Sequence, residues 1–140
     1  MAVKFFFADT TIPLVQRNRL KGFIISLFEL EGKEFYALNY IFCSDLYLQA
    51  INKEFLQHDD YTDIVTFRLS SPKEPVTGEI YISTERVIDN AQLLGVTINE
   101  EIHRVIFHGA LHLCGFKDKK ASDKKEMRFQ EDKYLKLYFG

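Results

Sequence analysis

The residues that could do chemistry together are His108, His112 and Asp118, within the string His108-Gly109-Ala110-Leu111-His112-Leu113-Cys114-Gly115-Phe116-Lys117-Asp118. Histidines four positions apart share one helix face with Cβ atoms roughly 6 Å apart, so both imidazoles can address a single ion. Gly115 can take φ > 0 and end the helix sharply, which turns the chain back so that Asp118 supplies a third ligand. Three protein ligands with one position left open is the pattern of a catalytic metal centre rather than a closed structural one. The competing account makes the histidines ordinary core residues. Two buried rings left unpaired would cost roughly 1–3 kcal/mol each, and the helix itself offers no acid or amide to satisfy them.

Neighbouring candidates fall off this face. Cys114 lies two residues past His112, about 200° around the helix, and His103 lies about 140° from the ligand face, so both read as packing residues. His58 sits in a polar loop among acids, where its spacing points to nothing. The same His, His, Gly and third-ligand order occurs in metzincin proteases, but these need a glutamate directly after the first histidine as general base. Here that position is Gly109, which cannot move a proton.

The elements that must position these residues can be read from periodicity. Val3 to Phe7 suits a strand, and Leu20, Phe23, Ile24, Leu27 and Phe28 repeat as one face of a helix that ends near Gly32. Glu34 to Cys43 suits a strand buried on both sides. Ser44 and Asp45 open a second helix, whose apolar stripe is expected to be Tyr47, Leu48, Ile51 and Phe55. Asp63 to Phe67 and Gly78 to Ile82 form a hairpin-like pair of strands. Ser83 opens a third helix that closes at Gly95. Ile98 to Cys114 is a helix apolar nearly all round after Arg104, hence central and buried. A last helix, with Ser122 as expected N-cap, turns Met127, Tyr134 and Tyr138 inward. The order β-α-β-α-β-β-α-α-α predicts an α+β fold, one domain over residues 1–140, with a four-stranded sheet packed against about five helices.

Composition narrows the function classes. At 140 residues with 46% hydrophobic content the chain can bury a real core, and its two cysteines are too few for a disulfide framework. No apolar run approaches the ~20 residues needed to cross a bilayer, so a cytoplasmic protein without membrane contact is expected. The net charge of −2 argues against an indiscriminate polyanion binder. Locally, however, Lys117 to Arg128 carries six basic residues against three acids, directly after the histidine string. A solvated loop and helix start is the alternative account of that cluster.

His108 to Asp118 resembles the signature H-G-x-L-H-L-x-G-Y-D-H of the YbeY endoribonucleases. His108, Gly109, Leu111, His112, Leu113 and Gly115 match, and Phe116 stands at an aromatic position. Asn52 to Phe67 is similar to the family's N-x-x-Y-R-x-x-D-x-P-T-D-V-L-S-F block through Asn52, Asp59, Thr62, Asp63 and Phe67, and Gly78-Glu79-Ile80 is similar to its G-D-I strand. Four departures stand out. Asp118 falls on the family's third histidine, Leu56 on its arginine, and Tyr61 and Arg68 on prolines.

The resemblance implies a single-strand-specific, metal-dependent endoribonuclease that matures the 3′ end of 16S rRNA and serves ribosome quality control, with RNA and the ribosome or its small subunit as partners. One Zn²⁺ per chain is expected on His108, His112 and Asp118. The hard carboxylate ligand makes Mn²⁺, Ni²⁺ or Fe²⁺ more acceptable than a three-histidine site would. The metal would bring a water's pKa from ~15.7 toward ~7, and no separate general base is assigned. Asp63 is a candidate catalytic carboxylate by analogy, weighed against a plain turn residue. Lys53, Arg68, Lys117 and Lys119 are candidates for RNA contact in place of the missing arginine. Two other classes stay open: a ribosome-assembly protein whose metal is only structural, and a small-substrate metalloenzyme with a two-histidine, one-carboxylate site.

Overall fold

The computed structural model describes residues 2–56 and 62–140. His58, Asp59 and Tyr61, together with the Leu56 side chain, lie outside the described residues. Element order follows the expected one: β1 (Ala2–Phe7), α1 (Arg17–Leu30), β2 (Phe35–Cys43), α2 (Asp45–Leu56), β3 (Ile64–Arg68), β4 (Val76–Ser83), α3 (Thr84–Leu94), α4 (Ile98–Leu113) and α5 (Ala121–Phe139).

The strands form one mixed sheet in the order β1-β2-β4-β3. β2 is parallel to both β1 and β4, and β3 runs antiparallel to β4 along the edge. Being central, β2 buries Leu38, Tyr40 and Phe42 completely on one face, while its other face, with Ala37, Asn39 and Ile41, is only half covered, short of the two-sided burial expected of it. Leu20, Ile24, Leu27 and Phe28 of α1 join that buried face, with α4 and Tyr134, Leu135 and Tyr138 of α5. The opposite face carries a smaller cluster of Cys43, Leu48 and Val65.

α4 is the pivot of the molecule, since ten of its 16 residues are buried. Thr97 caps it, its hydroxyl accepting from the Glu100 amide at 3.0 Å. The fully buried Tyr40 hydroxyl donates to the Ile106 carbonyl at 2.8 Å and so ties the helix to the middle of the sheet. Gly109 lets the helix touch the strands: a Cβ there would lie 2.8 Å from Ile80 Cδ1 and 3.0 Å from Ile64 Cδ1. The same residue that rules out a proteolytic glutamate thus lets the helix sit close against the strands.

Two expectations require correction. α5 starts two residues before Ser122 could cap it, with Lys120 at the N-cap and no side-chain cap bond. In α2 the buried stripe is Leu48 and Asn52, with Ile51 half-buried and Tyr47 and Phe55 exposed. Position 52 faces the sheet because α2 is held at its N-terminus, where Asp45 accepts from Ser83 Oγ at 2.5 Å and from Arg86 Nε at 3.1 Å.

Candidate metal centre

Burial of most of α4 leaves a narrow polar stripe, Arg104, His108 and His112, at successive intervals of four residues. His108 and His112 lie nearly parallel, with ring planes 13° apart and centroids separated by 6.3 Å. Gly115, at φ 109°, reverses the chain after α4. That one turn sets two contacts. The Phe116 carbonyl accepts from His112 Nδ1 at 2.9 Å, and Asp118 Oδ2 comes within 3.3 Å of His108 Nε2.

The other nitrogen of His108 is held from α5. Glu131, 5% exposed, places Oε2 2.7 Å from His108 Nδ1, while its Oε1 accepts from Arg104 at 3.1 Å. Carboxylate and carbonyl oxygens can only accept, so each histidine donates from Nδ1; Nε2 of His112 is left to another partner, while Nε2 of His108 faces the Asp118 carboxylate. Orienting ligand histidines in this way, through a carboxylate or a carbonyl, is typical of metal sites.

Glu131 was not among the expected site residues, and it supplies the acid that α4 itself lacks. Its sequence signal is its position in the inward stripe of α5, Met127, Glu131, Tyr134, Leu135 and Tyr138, where a lone carboxylate demands a buried partner. Arg104 was likewise legible as the residue one turn before His108.

His108, His112 and Asp118 line one open cleft of about 270 Å³, together with Asn52, Thr62, Ile64, Val65 and Thr66. Among the described residues no three His, Cys, Asp or Glu side chains stand close enough to form a coordination sphere as they are. The closest approach within the expected trio is the His108–Asp118 contact.

The surroundings are acidic. Burial works to lower the His108 pKa, but the hydrogen bond and charge of Glu131, with the charges of Asp63 and Asp118, outweigh it and raise the pKa above the usual value. Burial pushes the Asp63 carboxyl up; His108 pulls the other way, and Glu131 and Asp118 add to the rise. Asp63 therefore lies within electrostatic reach of His108, and its backbone carbonyl accepts from the Ser83 amide at 3.0 Å.

The remaining residues sort by position. His103 is buried, stacked on Tyr138 at 5.2 Å, and Cys114 is buried in the core. Lys117 and Lys119 are exposed on the turn beside Asp118, and Lys53 is exposed next to Asn52. Arg68 lies away from the cleft, its guanidinium holding the β3–β4 loop through the Ser71 and Glu74 carbonyls at 3.1 and 2.9 Å.

A family model described as Endoribonuclease YbeY matches residues 9–138. An endoribonuclease YbeY of Cytophaga hutchinsonii is 47% identical over 133 residues, covering 95% of this chain and 93% of its own length. One from Parabacteroides distasonis is 36% identical over 137 residues, covering 98% of this chain and 96% of its own length. The solution structure of a Thermotoga maritima protein, 27% identical, superposes with a TM-score of 0.64 over 99% of this chain and 90% of its own. The shared α+β architecture and these matches over nearly the whole sequence place the chain in the endoribonuclease YbeY family.

Proposed function

We propose that the chain is a metal-dependent, single-strand-specific endoribonuclease of rRNA maturation, acting at the 16S 3′ end and in ribosome quality control, with the ribosome or its small subunit as partner and the cytoplasm as its place of work. One Zn²⁺ would be held by His108, His112 and Asp118, with Mn²⁺, Ni²⁺ or Fe²⁺ as substitutes. The observation that carries this reading is the pairing of His108 Nε2 with Asp118 Oδ2 at 3.3 Å while Nδ1 of the same ring faces Glu131 at 2.7 Å. With its proton toward Glu131, His108 would turn a lone pair against a carboxylate oxygen. Such a contact calls for positive charge between the two atoms, either a second proton or a metal ion, and the free Nε2 of His112 on the same face favours the ion.

The bound ion would supply Lewis-acid charge on the scissile phosphate and acidify a water. The chain's own residues do the rest. Glu131 and the Phe116 carbonyl fix the two rings, and Asp63 adds negative charge that suits a cation. Across the cleft, Asn52, Thr62 and Thr66 make the facing wall polar. This polar, open wall favours a nucleotide chain over a small apolar substrate. Among the described residues no helix is long and apolar enough to cross a membrane.

The test combines elemental analysis with cleavage of single- and double-stranded oligoribonucleotides. Wild type is expected to carry about one zinc and to cut single strands, whereas His108→Ala, His112→Ala and Asp118→Ala lose the metal and at least about a hundredfold in rate. Metal kept by Asp118→Ala would put the third ligand elsewhere. Full metal with no turnover in a clean sample would favour the assembly-protein reading.

A further inference from the structure

We propose that Lys124 and Arg128 form a binding subsite for the RNA phosphate next to the one being cleaved, on the α5 side of the His108–Asp118 pair. This deepens the endoribonuclease reading and rests on it for the identity of the cleaved phosphate. A second concavity of about 230 Å³ adjoins the cleft, sharing His108 and Asp118 with it and otherwise lined by Lys124, Met127, Arg128 and Glu131. The two depressions thus flank one pair of residues. A strand that lays a phosphate against that pair must carry its next phosphate into one depression or the other, and among the described residues only the α5 side is lined by cations.

The charges in this second depression are arranged to leave those cations available. Of its two acids, Asp118 faces His108 and Glu131 is engaged by His108 at 2.7 Å and Arg104 at 3.1 Å. Arg128 makes only the longest contact to Glu131, 3.5 Å, and its side chain is 51% exposed. Lys124 has no carboxylate within 4.0 Å among the described residues and is exposed. Lys124 and Arg128 are four apart on α5, so both reach from one helix face. Met127, 2% exposed, forms an apolar floor between them that a ribose can cover. A guanidinium and an ammonium over a shallow floor suit a phosphodiester, which needs charge and forked donors but no base-specific contact.

The experiment measures binding and cleavage of a fluorescein-labelled single-stranded oligouridylate by the metal-loaded protein, for wild type, Lys124→Ala, Arg128→Ala and the double variant. Binding is read by anisotropy in a salt series, using a 2′-deoxy oligonucleotide checked on a gel to be intact at the end of each titration. Each substitution is expected to reduce the slope of log K against log salt by about 0.7, and the pair together to weaken binding on the order of tenfold at 0.1 M salt. In cleavage, KM rises by that factor while kcat stays within about twofold. Lys136→Ala, beside Leu137 and about two turns beyond Arg128 toward the C-terminal end of α5, serves as control and leaves both unchanged.

A neutral methylphosphonate placed one position 5′ or 3′ of the cleaved bond locates the subsite. One of the two positions should weaken wild type as the double variant does, and cause no further loss in that variant. A double variant that binds within twofold of wild type with the same salt slope would overturn the subsite, as would methylphosphonate penalties that persist in it. RNA bound with the expected slope but never cut would instead overturn the endoribonuclease reading and leave the subsite standing.

Discussion

Glu131 decides how His108 is presented. Its carboxylate accepts from both His108 and Arg104, and its side chain is only 7% exposed. Glu131→Ala would leave a buried guanidinium without a full partner and free the imidazole to turn. Because Arg104 keeps Asp132 at 2.8 Å, the expected result is a loss of about 1–3 kcal/mol in urea unfolding, with zinc affinity down by about 10- to 100-fold. Glu131→Gln keeps an accepting oxygen and should lose less of both; ¹⁵N shifts of His108 showing the Nδ1-protonated tautomer in wild type and a mixture in Glu131→Ala would report the positioning role directly.

His103 makes a different kind of prediction. Burial lowers its pKa, against a raising hydrogen bond to the Asn99 carbonyl, and its Nε2 is buried with no partner. Because the folded pKa lies below the unfolded one, the unfolded chain binds more protons as pH falls through about 6.5, so His103 costs stability on the acid side. His103→Phe should therefore gain on wild type as pH drops from 7 to 5, by no more than about 1.4 kcal/mol per pH unit. A pH-independent difference between the two would show that the ring titrates alike in both states.

At the scale of elements, the site depends on how closely α4 approaches the strands. Two glycines permit that approach from opposite sides. A Cβ on Gly109 would meet the tips of Ile80 and Ile64, which can shift, and alanine also favours the helix by about 1 kcal/mol. Gly109→Ala should therefore cost only about 1 kcal/mol net, since overpacking costs roughly 1–3. Gly78→Ala should cost more. Its Cβ would lie 2.9 Å from the Phe67 carbonyl oxygen, a backbone atom of the β3–β4 ladder that cannot move without breaking the Arg68–Gly78 register. Thermal melts that rank the two variants the other way would mean the helix, not the sheet, sets the spacing.

For the whole molecule, the proposed metal couples α4 to the turn after Gly115, so its binding should appear as global stability. Zinc at a hundredfold excess over its Kd should stabilise the fold by about 2.7 kcal/mol, reversibly with a chelator, and the gain should vanish in His112→Ala. A zinc-dependent shift of the melting temperature that survives in that variant would place the ion elsewhere. Gly115→Ala offers a check on the same coupling. It has space for a Cβ but sits at φ 109°, so the backbone strain should fall on the turn that delivers Asp118 and the Phe116 carbonyl.

Periodicity and capping residues were enough to order all nine elements, because each strand and helix buries a face whose spacing is written locally. The pair His108 and His112 was legible for the same reason: residues four apart meet on any helix. Gly115 marked the turn toward Asp118, since few other residues accept a positive φ. The partners that govern the site were not local. Glu131 lies 23 residues beyond His108 and reaches it only because α5 packs along α4. Arg68, a candidate to supply the charge of the arginine replaced by Leu56, has its guanidinium on the Ser71 and Glu74 carbonyls of the β3–β4 loop, a contact that sequence could not show. Lys124 and Arg128 were part of an undifferentiated basic stretch until α5 turned those two toward Asp118. Sequence alone thus settled the order of elements and the helical face that carries the histidines, whereas packing of α5 against α4 decided which acid orients them and which cations stand beside them, because such contacts depend on where whole elements dock.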